Sequence, residues 1–527
     1  MSAPDVVLDP PAGGRAAGEG QLHTGQLAGR ARARRPLLIL AGAFALTRVA
    51  AAAVGVRFDD VFLSGTRVSD QWQLLDVSIL RHHLVQGVWD LNMQPPLFNV
   101  EAGILLHLPG ALRGVTEVLL SLGMGLAIVL ATYLLLTELR VPGRVALGVT
   151  LVGVVASPAY LLYANWFSYA EPTAACSAVG AWCLARFLRT RRPLTGAAAF
   201  SAFGAMVLFD STYQIEWMIV IVAVTAFALR SSWRVVLRAA AVPVVVVGAW
   251  YVKDAAMFGT TTTSSWLGMN LARSVLYKAP PKQIAALQRA GVLGPLASIP
   301  PFSNPQTYVP RFAAARPNPA PALGALDKGN GAPNFNNPLY ISVGSQYLHQ
   351  DLALIRAEPG LYAADVGRSV RVWLIGTDQN FTDSPNWPHV APYARLYDRV
   401  VGWQPAQDPA AGFVLFNRSM WNWTWLSWQA VALTALALVG APFLAWRRRR
   451  GSPLGASVAV LWWTCAYAFV VSSLIEIGEN ERFRFELGPL PLVLATVVVT
   501  EAVRAVRTRR PEPAPVAGQK VPGPGDN

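Results

Sequence analysis

The stretch that decides the arrangement of this chain is residues 56–100, which reads V-R-F-D-D-V-F at 56–62, S-D-Q-W-Q-L-L-D at 69–76 and Q-P-P-L-F-N at 94–99. It follows the first long apolar segment and carries a group of four carboxylates: Asp59, Asp60, Asp70 and Asp76. Ionised side chains are costly to place at a membrane boundary. A cluster of them at that position therefore predicts a functional site.

The composition around this stretch is that of a membrane protein. Of the 527 residues, 53% are hydrophobic and only 14% are charged, which is too apolar for an ordinary soluble protein. Several apolar runs approach the ~20 residues that a helix needs to cross the hydrocarbon core. The sequence therefore predicts an all-α membrane protein that crosses the bilayer many times.

The formal net charge of +14 gathers in short basic clusters between the apolar runs, at 31–35, 189–192, 447–450 and 507–510. Such clusters are typical of loops that stay on the cytoplasmic side of a membrane. They also favour contact with anionic lipid headgroups. The expected partners of this charge are therefore membrane lipids, and nucleic-acid binding is not expected.

Placing the basic loops inside predicts about ten transmembrane helices, with both termini in the cytoplasm of a bacterium and the chain in its plasma membrane. The first helix, at about 36–56, is long for a signal-peptide core and is expected to be retained. Residues 97–112 are apolar but short, which predicts a re-entrant or interfacial helix.

The spans divide the chain into five predicted parts. These are a disordered cytoplasmic tail (1–35), a transmembrane catalytic bundle (36–252) whose first extracytoplasmic loop is 57–96, an extracytoplasmic domain (253–422), C-terminal transmembrane helices (423–505) and a second disordered tail (506–527). The long insertion falls between the seventh and eighth spans, and its many Pro, Asn and aromatic residues predict a domain of mixed structure. Loops of this length are usually functional.

Asp76 has two interpretations. A helix over 70–84 places Asp76 at the margin of an apolar side that includes Trp72, while Asp70 points elsewhere. A carboxylate beside packed apolar residues tends to have a raised pKa and can act as a general base. Alternatively, Asp76 caps the helix or pairs locally, for example with Arg81. Both interpretations stay open.

The adjacent Asp59 and Asp60 also have two interpretations. They form either a solvated boundary pair beside Arg57 or two carboxylates that activate a hydroxyl. Their oxygens would equally suit a divalent cation. At the start of the fourth span, Glu171 beside Tyr169 either caps the helix or joins the same site.

Three arginines lie outside the predicted cytoplasmic loops. Arg482 and Arg484 lie on the predicted outer side, beside Glu479. Pairing between glutamate and arginine explains part of this charge cluster, but the planar guanidinium groups also suit a phosphate. Arg48 lies deep in the first predicted helix, where it either snorkels to the interface or contacts a lipid phosphate.

The acidic motif after the first helix, followed by Q-P-P-L-F at 94–98, resembles the C-type (GT-C) superfamily of multi-spanning membrane glycosyltransferases. Its members include protein O-mannosyltransferases and the lipid A aminoarabinose transferase, which carry an H-P-P-L-Y-like stretch there. The segments W-Y-V-K-D-A-A-M-F-G (250–259), S-S-W-L-G-M-N-L (264–271) and E-N-E-R-F-R (479–484) also look like bacterial members. The similarity covers roughly 36–280 and 420–505. This chain departs from the pattern at Gln94, where the family has histidine, and both Asp59-Asp60 and Asp70-Gln71-Trp72 compete for the place of the acidic motif.

The resemblance implies transfer of a sugar from a polyprenyl-phosphate donor to an extracytoplasmic hydroxyl of a glycan, lipid or protein, with or without a divalent cation. The residues expected to supply the base are Asp59, then Asp60 or Asp76. The residues expected to bind substrate are Asp70, Gln94, Tyr169, Glu171, Glu479, Arg482, Arg484 and Arg48. Two other functions stay open: a transporter or flippase of lipid-linked glycans that uses the same charges as a path, and a non-catalytic assembly subunit.

Overall fold

The computed structural model describes residues 16–58, 67–312, 320–381, 384–403, 426–447 and 452–508. Within these ranges the secondary structure is helical, apart from two isolated bridges, Asp327 with Pro333 and Ile375 with Leu426. The predicted all-α class is therefore confirmed for the described part of the chain.

Two features set the boundaries of the helices before the long insertion: prolines at helix starts and left-handed residues at helix ends. Pro158 and Pro193 stand at first helical turns, where a missing N–H costs nothing. Arg191 and Gly259 adopt positive φ at helix ends. The bounds are α1 (Ala16–Ala53), α2 (Val77–His82), α3 (Leu84–Trp89), α4 (Leu97–His107), α5 (Gly110–Glu138), α6 (Gly143–Thr150, continued by a π-helical turn at Leu151–Val155), α7 (Pro158–Tyr163), α8 (Ala170–Thr190), α9 (Pro193–Phe209), α10 (Ile215–Ala228) and α11 (Trp233–Phe258).

The first helix begins earlier than the sequence predicts. It starts at Ala16, so residues 16–35 of the expected tail are helical. Ala, Gln, Leu and Arg dominate this segment, and these are good helix formers whose summed propensity outweighs the interspersed glycines.

In the described residues of the insertion after α11, the regular secondary structure is helical, and the helices are joined by loops that include the isolated bridge of Asp327 with Pro333. Its bounds are α12 (Leu267–Ser274), α13 (Pro281–Arg289), α14 (Pro305–Phe312), α15 (Leu339–Ala357), α16 (Pro359–Trp373) and α17 (Trp387–Val400). Many of the prolines that suggested breaks stand at helix starts, as at Pro281 and Pro359. Helices α12 and α15 pack on each other around a hydrophobic core of their own, which includes Met269 and Tyr347.

The C-terminal helices are α18 (Trp428–Ala435, continued by a π-helical turn at Leu436–Gly440), α19 (Ala441–Arg447), α20 (Pro453–Ile475), α21 (Asn480–Glu486) and α22 (Leu490–Arg507). Among the described residues, five helical segments are long and apolar enough to cross a membrane: 34–53, 112–138, 230–258, 428–447 and 453–475. The pair α21 and α22, bent by 69°, is a sixth if it forms one broken span. Shorter apolar helices include α4, α9 and α10. The chain is thus built for several crossings, and the number ten stays a prediction.

Helix α8 lies at the centre of the bundle, where it packs on α5, α9 and α20. Its sequence is rich in small residues, and Ala174, Ala178 and Ala181 are fully buried. Small side chains let helix backbones approach closely, which favours association of helices in lipid. At Gly180 an added Cβ would come within 2.8 Å of the Phe203 ring on α9, so this contact requires glycine.

The basic loops meet at one end of this bundle. The Arg189 guanidinium at the end of α8 donates to the Glu138 carboxylate at the end of α5, at 2.7 Å. The Arg504 guanidinium of α22 donates to the Arg140 carbonyl at 2.5 Å. The opposite end of α8, at Tyr169, borders the site described next.

Candidate active site between the bundle and the insertion

A cavity of about 760 Å³ lies where the first loop, the insertion and the ends of the bundle helices meet. Its wall contains five of the residues predicted to bind substrate: Asp70, Gln94, Tyr169, Glu479 and Arg482. Polar residues from the other elements complete the wall, among them Asp210, Asn270, Arg273 and Glu476. The structure therefore gathers residues as far apart in sequence as Asp70 and Arg482 into one polar, partly aromatic cleft.

The loop that follows Asp70 is fixed by polar side chains of the insertion. The Lys328 ammonium donates to the carbonyls of Gln71 and Leu74, at 2.7 and 2.9 Å. The Asn336 amide donates to the carbonyls of Trp72 and Leu74, at 3.3 and 2.9 Å. Buried carbonyls need such donors, so residues 71–74 are held in one position at the cavity wall.

The Asp70 side chain lies at the cavity wall. One of its oxygens accepts a hydrogen bond from the Asn330 amide at 2.7 Å, and its side chain lies in an exposed position. Gln94 lines the same cavity from the residues before α4.

Asp76 caps a helix, as the second interpretation proposed. Its Oδ1 accepts from the Ser78 backbone N–H at 2.7 Å and its Oδ2 accepts from the Gly329 N–H at 2.5 Å. Burial acts to raise its pKa, but the hydrogen bonds from Ser78 and Gly329 and the charge of Lys328 outweigh it, so the pKa lies below the usual value. Of the two interpretations, these contacts favour the local cap. Asp76 is also not among the described residues that line the cavity.

Arg482 stands at the centre of a charged group on α21. Its guanidinium pairs with Glu479 at 2.5 Å and with Glu486 at 2.7 Å, and it lies 4.9 Å from the centre of the Tyr169 ring. The Arg482 side chain is 7% exposed, whereas that of Glu479 is 22% exposed. Arg482 is thus a buried cation whose accessible side is the cavity, held by two carboxylates and an aromatic face.

Arg484 does not join Arg482. Its guanidinium donates to the carbonyls of Trp373 and Ile375 at the end of α16, and it lines a separate cavity of about 100 Å³. Residues two apart on a helix point about 200° from each other, because each residue turns by about 100°. The predicted phosphate pair Arg482–Arg484 is therefore wrong in geometry.

The second arginine at the cavity is Arg273 of α12, which the sequence did not single out. Its guanidinium lies 3.2 Å from the Glu476 carboxylate. Burial raises the pKa of Glu476 to about 7, although Arg273 acts to lower it. The signal for Arg273 was its place two residues after the 264–271 motif. The topology of the spans does not predict which residues of the insertion lie at the cavity.

Asp210 is a further carboxylate of the cavity wall. It is buried at the end of α9, and its Oδ1 accepts from the Thr212 N–H at 2.8 Å. Its carboxyl group lies against that of Glu486, which also pairs with Arg482. The position of Asp210 at the predicted outward end of a span was the available signal.

Glu171 and Arg48 lie apart from the main cavity. The Ser121 hydroxyl donates to the Glu171 carboxylate at 2.6 Å, and Glu171 borders a cavity of only about 10 Å³. The Arg48 guanidinium donates to the Tyr160 carbonyl at 3.1 Å and lies over the Phe44 ring. Both side chains thus have partners within the helix bundle.

Asp59 and Asp60, the first candidates for the base, lie outside the described residues, and their role stays a prediction. Within the ranges that the structure describes, no group of three or more His, Cys, Asp and Glu side chains is arranged to hold a metal ion. The divalent cation likewise stays a prediction, and the chemistry proposed for the described residues rests on their own side chains.

Comparison with known proteins gives two structural neighbours. No protein-family model matches this chain, and no curated protein does. Two crystal structures of ArnT from Cupriavidus metallidurans match, one bound to undecaprenyl phosphate and one in the apo state. The first is 15% identical and covers 85% of this chain and 78% of that chain, with a TM-score of 0.27; the second is 16% identical and covers 81% and 77%, with a TM-score of 0.26.

Proposed function

We propose that this protein is a membrane glycosyltransferase that moves a sugar from a polyprenyl-phosphate donor to an acceptor hydroxyl on the extracytoplasmic side. The observation that carries the proposal is the cavity wall, on which two arginines, Arg273 and Arg482, stand beside carboxylates and amides. This combination provides cations for a phosphate, bases for a hydroxyl and hydrogen-bonding groups for a sugar.

The position of the cavity suits a donor anchored in the membrane. Residues at the ends of α8, α9 and α20 line the cavity, and α20 is apolar and long enough to span. A polyprenyl chain lying among such helices would bring its phosphate to the level of their ends. There, Arg482 and Arg273 would bind it and stabilise the negative charge that develops as the bond to the sugar breaks.

The reaction needs one base and one leaving group. The acceptor oxygen forms a bond to the anomeric carbon, the bond from that carbon to the phosphate oxygen breaks, and its electron pair leaves with the polyprenyl phosphate. The hydroxyl proton goes to a carboxylate. Asp59 and Asp60 remain candidates from the sequence, while Asp70 and Asp210 are carboxylates of the cavity wall.

The test is transfer of a radiolabelled sugar by protein purified into lipid nanodiscs, from a panel of synthetic polyprenyl-phosphate sugars (mannose, arabinose, galactose and glucose). Wild type is compared with Asp59→Ala, Asp60→Ala, Asp70→Asn, Asp210→Asn and Arg482→Lys. Loss of the base is expected to lower turnover by about a hundredfold or more, and Arg482→Lys is expected to raise KM for the donor because an ammonium lacks the bidentate fork. Glu358→Gln, between α15 and α16, is the matched control and keeps wild-type turnover. Unchanged turnover in every carboxylate variant would refute the mechanism.

A further inference from the structure

The cavity wall contains a tryptophan that has no part in the proposed reaction. Trp72 lies in the first loop, two residues after Asp70, and it lines the cavity while 36% of its surface is exposed. Large aromatic side chains in the described part of this region are otherwise mostly buried, as with Trp266 and Phe335. A partly open indole at the wall of a polar cleft is a surface for a ligand.

The Trp72 ring is backed by other aromatic rings of the insertion. Its centroid is 5.4 Å from that of Phe302, with the planes 29° apart, and 4.6 Å from that of Phe335, with the planes 41° apart. The Trp266 ring meets Phe302 edge-on, at 5.0 Å and 78°. Ring contacts of this kind are favourable and directional, so the indole is supported from behind.

The backbone of Trp72 is fixed as well. Asn336 donates to its carbonyl, and Lys328 donates to the carbonyl of the preceding Gln71. On the other side, the Asn99 amide donates to the Gln73 carbonyl at 3.0 Å. A recognition surface held on both sides loses little conformational entropy when it binds a ligand.

The groups around this ring match the chemistry of a sugar. Asp70, Gln71, Gln73 and Asn270 line the cavity with it and offer a carboxylate and amides, which pair with hydroxyl groups. The less polar face of a sugar ring presents C–H groups of slight positive charge, which complement the negative face of an indole. An acyl chain would leave these polar groups unpaired, which is costly when they are covered.

We propose that Trp72, with Asp70 and the neighbouring amides, forms a subsite that binds a sugar ring by stacking. This inference deepens the proposed function and rests on it for its biological meaning, but the binding itself needs no turnover. The ring belongs either to the acceptor, which would then be a glycan, or to the donor. The attachment of Trp72 to the insertion, with Arg482 packed instead on Tyr169, favours an acceptor glycan.

The experiment measures binding without catalysis, by saturation-transfer NMR and calorimetry on protein in nanodiscs. The acceptor arm uses tetrasaccharides of glucose, mannose, galactose and arabinose; the donor arm uses farnesyl-phosphate mannose and farnesyl-phosphate arabinose. The variants are Trp72→Ala and Trp72→Phe, with Trp403→Ala as the matched control, since Trp403 is an exposed tryptophan outside the described wall of the cavity. Circular dichroism and gel filtration establish that each variant is folded.

An acceptor subsite predicts that Trp72→Ala weakens tetrasaccharide binding by about tenfold while Trp72→Phe and Trp403→Ala bind within about threefold of wild type. A donor subsite gives the same pattern with the farnesyl-phosphate sugars instead. Wild-type protein that binds neither class of probe, or a folded Trp72→Ala variant that binds both as well as wild type does, would overturn the proposal. Binding that depends on Trp72 in a protein without transferase activity would uphold the subsite and refute the proposed function.

Discussion

Glu476 is the residue whose ionisation should control donor binding. Burial raises its pKa to about 7, and its charged neighbours are Arg273, Glu479 and Arg482. Below pH 7 the neutral carboxyl group no longer competes with a phosphate for the Arg273 guanidinium. Above pH 7 the carboxylate pairs with Arg273 and repels the phosphate, so we expect KM for a polyprenyl-phosphate sugar to rise about three- to tenfold between pH 6 and pH 8.

The measurement is the pH profile of KM for the donor in wild type and in Glu476→Gln. The variant is expected to keep the low KM across this range, because its side chain carries no charge at any pH. Glu358→Gln serves as the control and should keep the wild-type profile. A Glu476→Gln profile identical to that of wild type would assign the pH dependence to another group.

The sequence predicts those site residues that the topology of the spans alone brings together. Asp70, Gln94, Tyr169, Glu479 and Arg482 all lie near predicted outer ends of helices, and a consistent alternation of spans places such ends side by side. Asp210 lies at such an end as well, whereas Arg273 needed three-dimensional packing to be found. Asp76 takes the capping role that was one of its two interpretations, because hydrogen bonds from Ser78 and Gly329 and the charge of Lys328 outweigh the effect of burial on its pKa.

At the scale of elements, the first loop and the insertion form one functional unit. Residues 70–76 make few hydrogen bonds among themselves, and the buried Lys328 ammonium supplies two of the bonds that hold them to the insertion. Burial lowers the pKa of Lys328 to about 7, against the opposing charges of Asp76 and Asp70. Because burial lowers the pKa of this base, its charged ammonium form is mostly present at pH 6 and mostly absent at pH 8.

Replacing Lys328 by Met should therefore loosen the first loop. The variant keeps an unbranched apolar stem but leaves the carbonyls of Gln71 and Leu74 without their donor. At pH 6, hydrogen–deuterium exchange of amides in 70–76 is expected to accelerate by at least about tenfold, since hydrogen bonds to charged groups contribute about 1.5–3 kcal/mol each. Lys282→Met, on the exposed face of α13, is the control and should leave this exchange unchanged. Equal exchange in the two variants would show that Asn336 and the aromatic packing suffice to hold the loop.

At the scale of the whole molecule, hydropathy and charge predict the helix bundle, but they do not predict the structure of the insertion. The apolar runs become helices because a lipid-facing backbone must satisfy its own hydrogen bonds. The insertion has no such constraint, and its prolines suggest breaks although several of them begin helices, as at Pro281, Pro305 and Pro359. Its packing on the first loop depends on single polar contacts such as Lys328 to Gln71, which no periodic pattern encodes.

The two unlike ends of the molecule predict its orientation in the membrane. Arg140, Arg189 and Arg504 meet at one end of the bundle, and the cavity lies toward the insertion at the other. Positive loops stay in the cytoplasm, so a cysteine at Arg192, in the basic loop between α8 and α9, should react with a membrane-impermeant maleimide only after cells are permeabilised. A cysteine at Lys282 in α13 should react in intact cells. Both positions are exposed, whereas Cys183 and Cys465 are buried and Cys176 is half-buried, so wild-type protein measures the background. Labelling of Arg192→Cys in intact cells, or protection of Lys282→Cys, would place the cavity on the cytoplasmic side, where nucleotide-activated sugars rather than lipid-linked ones would be the accessible donors.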